Sequence, residues 1–373
     1  MSATAKNFSR AWLIVGLLWV VACLNYLDRI MITTMHGSLK EAIPMSDAQF
    51  GLLTAVFLWV YGLFSPFAGF LADRFSRSGV ILVSLLAWSG ITWVTAHAKS
   101  FEQLLVARAL MGISEACYIP AALALIADYH RGSTRSLATD IHISGIMVGS
   151  GLGGLGGWLA ERHGWSFAFT FFGVFGVVYA IFLALFLRNV PREVVPGADG
   201  EPGKVDFLTA LKSLFSHASF ILAVLYWALV GLVGWMPTYL NEHFNLSQGV
   251  AGLSATGYLQ AAALVGVLVG GAWADRWDRT HERGRIFVTV TGLCIAAPGV
   301  LLASTTSLMT FAIAGLILYG LARSFSDSNM MPILCLVADP RYRATGYGVL
   351  NLFTCLVGGL TSKMRELGFS WPG

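Results

Sequence analysis

Six ionisable residues lie where a protein chain rarely puts charge. Asp28 and Arg29 sit in "LNYLDR", residues 24–29, inside a long apolar stretch. Arg108 and Glu115 sit in "RALMGISEA", and Arg323 and Asp327 are four apart in another apolar stretch. Charge in hydrocarbon costs several kcal/mol, so such residues are normally paired, and they mark ion or substrate paths. The chemistry open to this set is reversible protonation of carboxylates and binding of anions by guanidinium groups. Bond-breaking chemistry has no support. No nucleophile–base pair or metal-ligand cluster stands at a membrane surface, so an enzyme is not expected, and neither is a metal or cofactor. The five cysteines, Cys23, Cys117, Cys294, Cys335 and Cys355, occur singly, without CxxC or Cys/His ligand spacing.

The elements that position these residues are membrane helices. Of 373 residues, 56% are hydrophobic and 12% charged, and mean hydropathy is +0.69. A soluble chain carries about 25% charged residues. The apolar residues come in blocks, such as Ala11 to Thr34, Phe50 to Ala72 and Val80 to Ala96. Blocks of this length cross about 30 Å of hydrocarbon as helices. We read eleven spans: 11–34, 48–72, 79–98, 102–127, 135–160, 165–188, 218–240, 249–274, 286–305, 308–336 and 344–362. The first block is too long for a signal-peptide core and lacks a small-residue cleavage site, so it reads as a retained span.

Lys and Arg gather in alternate loops. One set of outer loops carries only Lys40, Lys99 and Arg162, whereas the opposite set is rich in both residues. The positive-inside bias puts the N-terminus in the cytoplasm. The net charge of +4 is then a topology signal, not a nucleic-acid footprint. A stretch rich in Pro, Gly and charge, Asn189 to Asp206, interrupts the chain after six spans. "FLTALKSLFSH" comes next, with Phe207, Leu208, Leu211, Leu214 and Phe215 on one helical face. That pattern suits a short helix on the inner membrane surface. The expected organisation is a bundle at 1–188, a linker at 189–217 and a second bundle at 218–373.

The two bundles repeat one motif. "GFLADRFSR", Gly69 to Arg77, comes after span two, and "GAWADRWDR", Gly271 to Arg279, comes after span eight. Gly, Ala-Asp-Arg and the final Arg recur at identical offsets, and each copy trails the second span of its bundle. Spans four and ten correspond as well. Glu115 lies five residues before Pro120, and Asp327 lies five residues before Pro332. "IAD" then ends at Asp128 and "VAD" at Asp339, each ahead of a basic loop.

Two six-helix halves, a cytoplasmic linker and a Gly-x-x-x-Asp-Arg-x-x-Arg loop resemble the major facilitator superfamily over essentially the whole chain. "NYLDR" and "RALMGISEA" resemble the organic anion:cation symporters and the related Spinster-like transporters. "GWMPTYL" in span seven resembles a stretch common in the symporters. The resemblance implies an all-α, polytopic transporter with twelve spans. The chain offers eleven, so the second bundle is expected without its last helix.

The resemblance also implies roles. Asp28 and Glu115 would carry or gate a coupling proton, and the arginines would bind an anionic substrate or tune the acids. Asp28 and Arg108 each lie about 9 Å from the outer end of their spans, at 1.5 Å rise per residue. Equal depth makes an Asp28–Arg108 pair plausible, with Glu115 below it on nearly the same face. The alternative is a static ion-pair network that stabilises the bundle. Arg323 and Asp327 form either a local helix pair or part of a substrate site. Asn25, Tyr26, Asn329, Trp235 and Tyr239 are further substrate-site candidates, although Trp235 and Tyr239 also suit interface aromatics.

In the loop motif that begins at Gly69, Asp73 can face the N-terminus of span eleven and the arginines Arg74 and Arg77, unless these charges only enforce topology. This arrangement would form a latch at the inner end. Asp275, Arg276 and Arg279 would form its mirror against span five. Gly145, Gly149, Gly153 and Gly157 make a stripe for close helix contact and for sliding between halves. No Walker motif is present, so ATP-driven pumping is not expected. The function expected is proton-coupled symport of a small organic anion, such as a sugar acid, by a monomer in the plasma (inner) membrane. The alternative is Spinster-like transport of a lysolipid or similar amphiphile, and a sensor or membrane enzyme ranks lower.

Overall fold

The computed structural model describes residues 3–130, 134–153, 155–189, 207–218, 220–221, 224–225, 258–281, 283–306 and 308–366. Side chains are described over the same residues except 3–8, 47, 48, 155 and 357–366. The described residues are almost entirely helical, with no strand among them. The first half comprises α1 (Ala3–Thr34), α2 (His36–Ala42), α3 (Asp47–Arg74), α4 (Arg77–Thr95), α5 (Phe101–Ala116), α6 (Tyr118–Tyr129), α7 (Arg135–Leu152), α8 (Leu155–His163) and α9 (Trp165–Phe186). The second comprises α10 (Phe207–Phe215), α11 (Tyr258–Asp278), α12 (Gly284–Thr305), α13 (Met309–Asp327), α14 (Met330–Val337) and α15 (Arg343–Glu366). Among the described residues, nine segments are long and apolar enough to span a bilayer. Spans one to six, eight, nine and ten of the sequence reading are among them, and α15 takes the eleventh place. Most of span seven, with Trp235 and Tyr239, and the linker core at 190–206 lie outside the described residues.

Helix ends obey local chemistry. Ser46 and Gln49 form a capping box at the start of α3, with Ser46 Oγ accepting from Gln49 N at 3.2 Å and Gln49 Oε1 accepting from Ser46 N at 2.8 Å. Ser76 and Ser100 cap α4 and α5. Spans four and ten are each broken at the same place. α5 stops at Ala116 and α6 begins at Tyr118, two residues before Pro120. α13 stops at Asp327 and α14 begins at Met330, two residues before Pro332. Proline cannot donate to the preceding turn, so the helix tightens there. Glu115 and Asp327 therefore occupy matching positions just ahead of a break.

The glycine stripe packs α7 and α8 against α1. A Cβ on Gly149 would strike the backbone carbonyl of Cys23. One on Gly145 would lie 2.6 Å from the Trp19 carbonyl, and one on Gly157 2.7 Å from the Thr34 carbonyl. A Cβ on Gly153 would lie 2.6 Å from the Ile30 side chain. Both helices belong to the first half, so the stripe fixes packing within that half and forms no sliding surface between halves. Glycine spacing specifies a smooth face without naming the helix that covers it.

The short helix α10 docks on the bundle through part of its apolar face. Phe207 stacks on Phe67 with ring centroids 4.8 Å apart, and Ala210 and Leu214 are buried. Leu208 stays 64% exposed, which leaves it for the membrane surface. The aspartates that end "IAD" and "VAD" diverge. Asp128 forms a buried ion pair with Arg77. Asp339 binds Arg341 beside it, with Nη2 to Oδ2 at 2.6 Å. Partial burial pushes the Asp339 carboxyl up, but its hydrogen bonds from Arg341 outweigh this and hold it below the ordinary carboxylate range.

Gly149→Val is expected to force α1 and α7 apart and cost about 1–3 kcal/mol, as overpacking does. A lowered midpoint in thermal unfolding of the purified protein would show it. Gly151→Ala, where a Cβ meets nothing within 4 Å, is the matched control and should leave the midpoint unchanged.

Candidate functional site

The buried charges of the first half converge at the middle of the bundle, though not in the predicted pairing. Arg29 Nη2 lies 3.2 Å from Glu115 Oε2. The Arg29 guanidinium also sits over three rings, at 4.4 Å from Tyr26, 4.9 Å from Phe57 and 4.4 Å from Tyr61. Aromatic faces attract a cation, most strongly where water is excluded. Asp28 is 1% exposed and accepts a hydrogen bond from Thr92 Oγ1 at 3.4 Å, with Trp88 close by. Arg108 donates from Nε to the Leu53 carbonyl at 3.3 Å and lies 4.4 Å over the Phe57 ring.

The expected Asp28–Arg108 contact is therefore replaced by Arg29–Glu115. Equal depth fixes height along the bundle but not direction around a helix. Consecutive residues point about 100° apart, so Asp28 turns toward α4 while Arg29 turns toward α3 and α5. Asp28, Arg29, Arg108 and Glu115 remain within electrostatic range of one another. Asn25 adjoins Glu115, and Tyr26 forms one wall of the cage.

Several polar atoms here have no hydrogen-bond partner among the described residues. They are Asp28 Oδ1, Arg29 Nε, Arg108 Nη2 and Glu115 Oε1. Native proteins pair the great majority of buried polar atoms, so a cluster of exceptions marks a place where something else binds. From the second half, Tyr347 on α15 approaches Tyr26, Tyr61 and Asp327. Asp327 pairs with Arg323 at 3.4 Å along α13. Sequence reasoning missed Phe57, Tyr61 and Tyr347. An aromatic in an apolar helix looks like any core or lipid-facing residue until its face is known.

The two loop motifs close one end of the bundle, termed the motif end. Asp73 accepts hydrogen bonds from Ala344 N at 3.1 Å, Thr345 N at 2.7 Å and Thr345 Oγ1 at 2.7 Å. It thus caps the N-terminus of α15, where free N–H groups and the helix dipole favour an anion. Arg77 stands 3.5 Å from Asp73. A Cβ on Gly69 would strike the Ala344 carbonyl, so glycine is what lets the two helices meet there. Arg74 is exposed and lies beside the Phe75 ring, outside the latch predicted for it.

The mirror site has the same logic with a different arginine. Asp275 accepts from Ser136 N at 3.2 Å and Leu137 N at 2.8 Å, capping α7. Arg285 binds Asp275 at 2.9 Å and Asp278 at 3.0 Å, and it donates to Ser136 Oγ. Arg276 and Arg279 are exposed, which corrects the expectation that they flank Asp275. Arg279 matches Arg77 by count, but the turn at 279–283 is longer in this copy. The arginine at the head of the next span is therefore Arg285. Asn329, expected in the substrate site, instead bonds the Phe325 carbonyl at the α13 break and accepts from Ser136 Oγ at 3.2 Å. It thus belongs to the closed motif end.

The Major Facilitator Superfamily profile matches residues 18–362. Protein spinster homolog 1 of Xenopus tropicalis is 25% identical over 380 residues, covering 95% of this chain and 72% of its own. Sphingosine-1-phosphate transporter SPNS2 of the same organism is 26% identical over 378 residues, covering 95% of this chain and 73% of its own. Among solved structures, a bacterial homolog to the human lysosomal transporter Spinster, in an inward-facing and unoccupied conformation, superposes with a TM-score of 0.61 at 26% identity. That match covers 94% of this chain and 80% of the other.

Arg285→Gln is expected to loosen the motif end and Arg279→Gln to leave it intact. A buried charge-assisted hydrogen bond contributes about 1.5–3 kcal/mol, so the open fraction should rise roughly tenfold or more. Alkylation of Ser136→Cys reads this, fast in the Arg285→Gln background and slow in the Arg279→Gln background. Equal rates would contradict the assignment.

Proposed function

We propose, for a chain that belongs to the major facilitator superfamily, proton-linked transport by alternating access of an amphiphile with an anionic head group. The observation that carries this reading is the group of unpartnered buried polar atoms around Arg29 and Glu115. An anionic head group fits there by taking the Arg29 fork, which holds carboxylate or phosphate in two-pronged fashion. The rings of Tyr26, Phe57 and Tyr61 offer apolar surface to the chain attached to that head group. The sphingosine-1-phosphate named for one relative, similar along 95% of this chain, supports an amphiphile.

Proton linkage arises from the same pair. Arg29 neutralises Glu115 in the resting site. An arriving anion competes for that guanidinium, and a buried carboxylate that loses its counter-ion is best accommodated with a proton. Anion and proton then load together. Asp28, one residue from Arg29 and bonded to Thr92, is placed to pass or hold that proton. The sugar-acid reading draws on the same arginines and on the symporter resemblance of "NYLDR", "RALMGISEA" and "GWMPTYL", the last of which lies outside the described residues, and it ranks second.

On this reading two bundles, at 1–188 and 218–373, are joined at 189–217 and rock about this site. The N-terminus is cytoplasmic and the motif end faces the cytoplasm. The chain works as a monomer in the plasma (inner) membrane. The hydrogen bonds of Asp73 and Asp275 hold the motif end shut, and breaking both exposes the site to the cytoplasm.

Proteoliposomes tested with lysolipids and with sugar acids, with and without a pH gradient, should accumulate only the lysolipid, and only with the gradient. Glu115→Gln should abolish gradient-driven accumulation while leaving exchange of unlabelled for labelled substrate. Full-rate driven uptake by this variant would overturn the proton role.

A further inference from the structure

One buried acid takes no part in the central site or in either latch. Asp140 lies on α7, one turn deeper than Ser136, at the contact of α7 with α11. It is fully buried, and neither carboxylate oxygen has a hydrogen-bond partner among the described residues. Its carboxylate rests against Gly271, where a Cβ would collide with Oδ2. The first glycine of the second loop motif thus makes room for an acid. The charged groups near enough to act on it are Asp275 on α11, Arg285 on α12 and Asp327 on α13. Arg285 is committed to Asp275, Asp278 and Ser136, and Asp327 to Arg323. Two of the three neighbours repel a negative charge, and the one cation already serves two carboxylates.

The first loop motif has no such feature. Asp73 and Asp275 cap α15 and α7 through Ala344–Thr345 and Ser136–Leu137. Counting one turn on from each cap gives Gly348 and Asp140. Gly348 packs on the Ser65 backbone. The acid is an addition to one of two otherwise matching seams.

We propose that Asp140 is a further proton-binding site, which holds a proton while the motif end is closed and releases it when α7 and α11 part. A bare carboxylate in this dry seam would lack both a counter-ion at contact distance and any hydrogen bond, a state that proteins avoid. Opening wets the seam, and the carboxylate then ionises in water. The balance is one proton taken from the motif side on closing and one returned there on opening, so Asp140 adds nothing to net transport. It makes the open–closed equilibrium respond to pH on that side, acid favouring closure. One proton gives at most about a tenfold change in that equilibrium per pH unit. The inference rests on alternating access but not on the identity of the cargo, and its readout does not use transport.

Hydrogen–deuterium exchange of the full chain in nanodiscs tests it, with each rate corrected for the intrinsic pH dependence of exchange. Peptides covering 135–143 and 271–278 in the native protein should open several-fold more per unit rise in pH. Asp140→Asn and Asp140→Ser should remove most of that dependence, and Asp140→Glu should restore it. A pH-independent opening in the native protein would overturn the proposal even if no variant folded. So would an unchanged dependence in either neutral variant. Loss of the dependence in Glu115→Gln with native Asp140 would assign it to the central site and also overturn the proposal.

Discussion

The ion pair between Arg29 and Glu115 is the contact on which the rest of the site depends. Both groups lie in the middle of a membrane bundle, and each would be costly alone. The pair is satisfied on only one side. Among the described residues Glu115 Oε1 and Arg29 Nε have no hydrogen-bond partner, and three rings surround the guanidinium. A static structural pair normally satisfies its remaining valences. This one leaves them unmet among the described residues, and Tyr347 of the other half approaches two of the rings that surround it. Such a pair can be divided by a competing anion at modest cost, because the cation keeps its aromatic cage and the acid can take a proton.

The motif end carries a second set of contacts between the halves. Each half contributes one aspartate that caps a helix of the other half, Asp73 on α15 and Asp275 on α7. These are strong contacts between charged acceptors and free helix N–H groups, and they involve few residues. The glycines beside them bring the backbones close enough for the caps to form. The two latches match in geometry and differ in their arginines, Arg77 in one and Arg285 in the other.

Much of this was legible in the sequence. Apolar block length located the spans. The repeated Gly-x-x-Ala-Asp-Arg motif located both latches and their partner helices. The matching Glu115–Pro120 and Asp327–Pro332 spacings identified two corresponding positions, although both stretches read as unbroken spans and the helix breaks emerged only in the structure. These features rest on length, count and chain direction, which a one-dimensional pattern carries. What failed depended on rotation about a helix axis or on loop length. Asp28 and Arg108 share a depth but face different neighbours, so Glu115 went to Arg29. Arg279 holds the right count but the longer turn gives its place to Arg285. The glycine stripe was read correctly as a close contact and wrongly as one between halves. Asp140 gave no signal, because a single acid near a span end resembles the boundary charges that set topology.

The central claim is that an anion and a proton bind as one event at Arg29 and Glu115. Calorimetric titration of an anionic lysolipid into the purified protein, repeated in buffers of different ionisation enthalpy, measures the protons exchanged on binding. Joint binding requires uptake of on the order of one proton per anion at neutral pH. It also requires that this uptake vanish in Glu115→Gln while binding persists. Binding with a heat that does not depend on the buffer would contradict it.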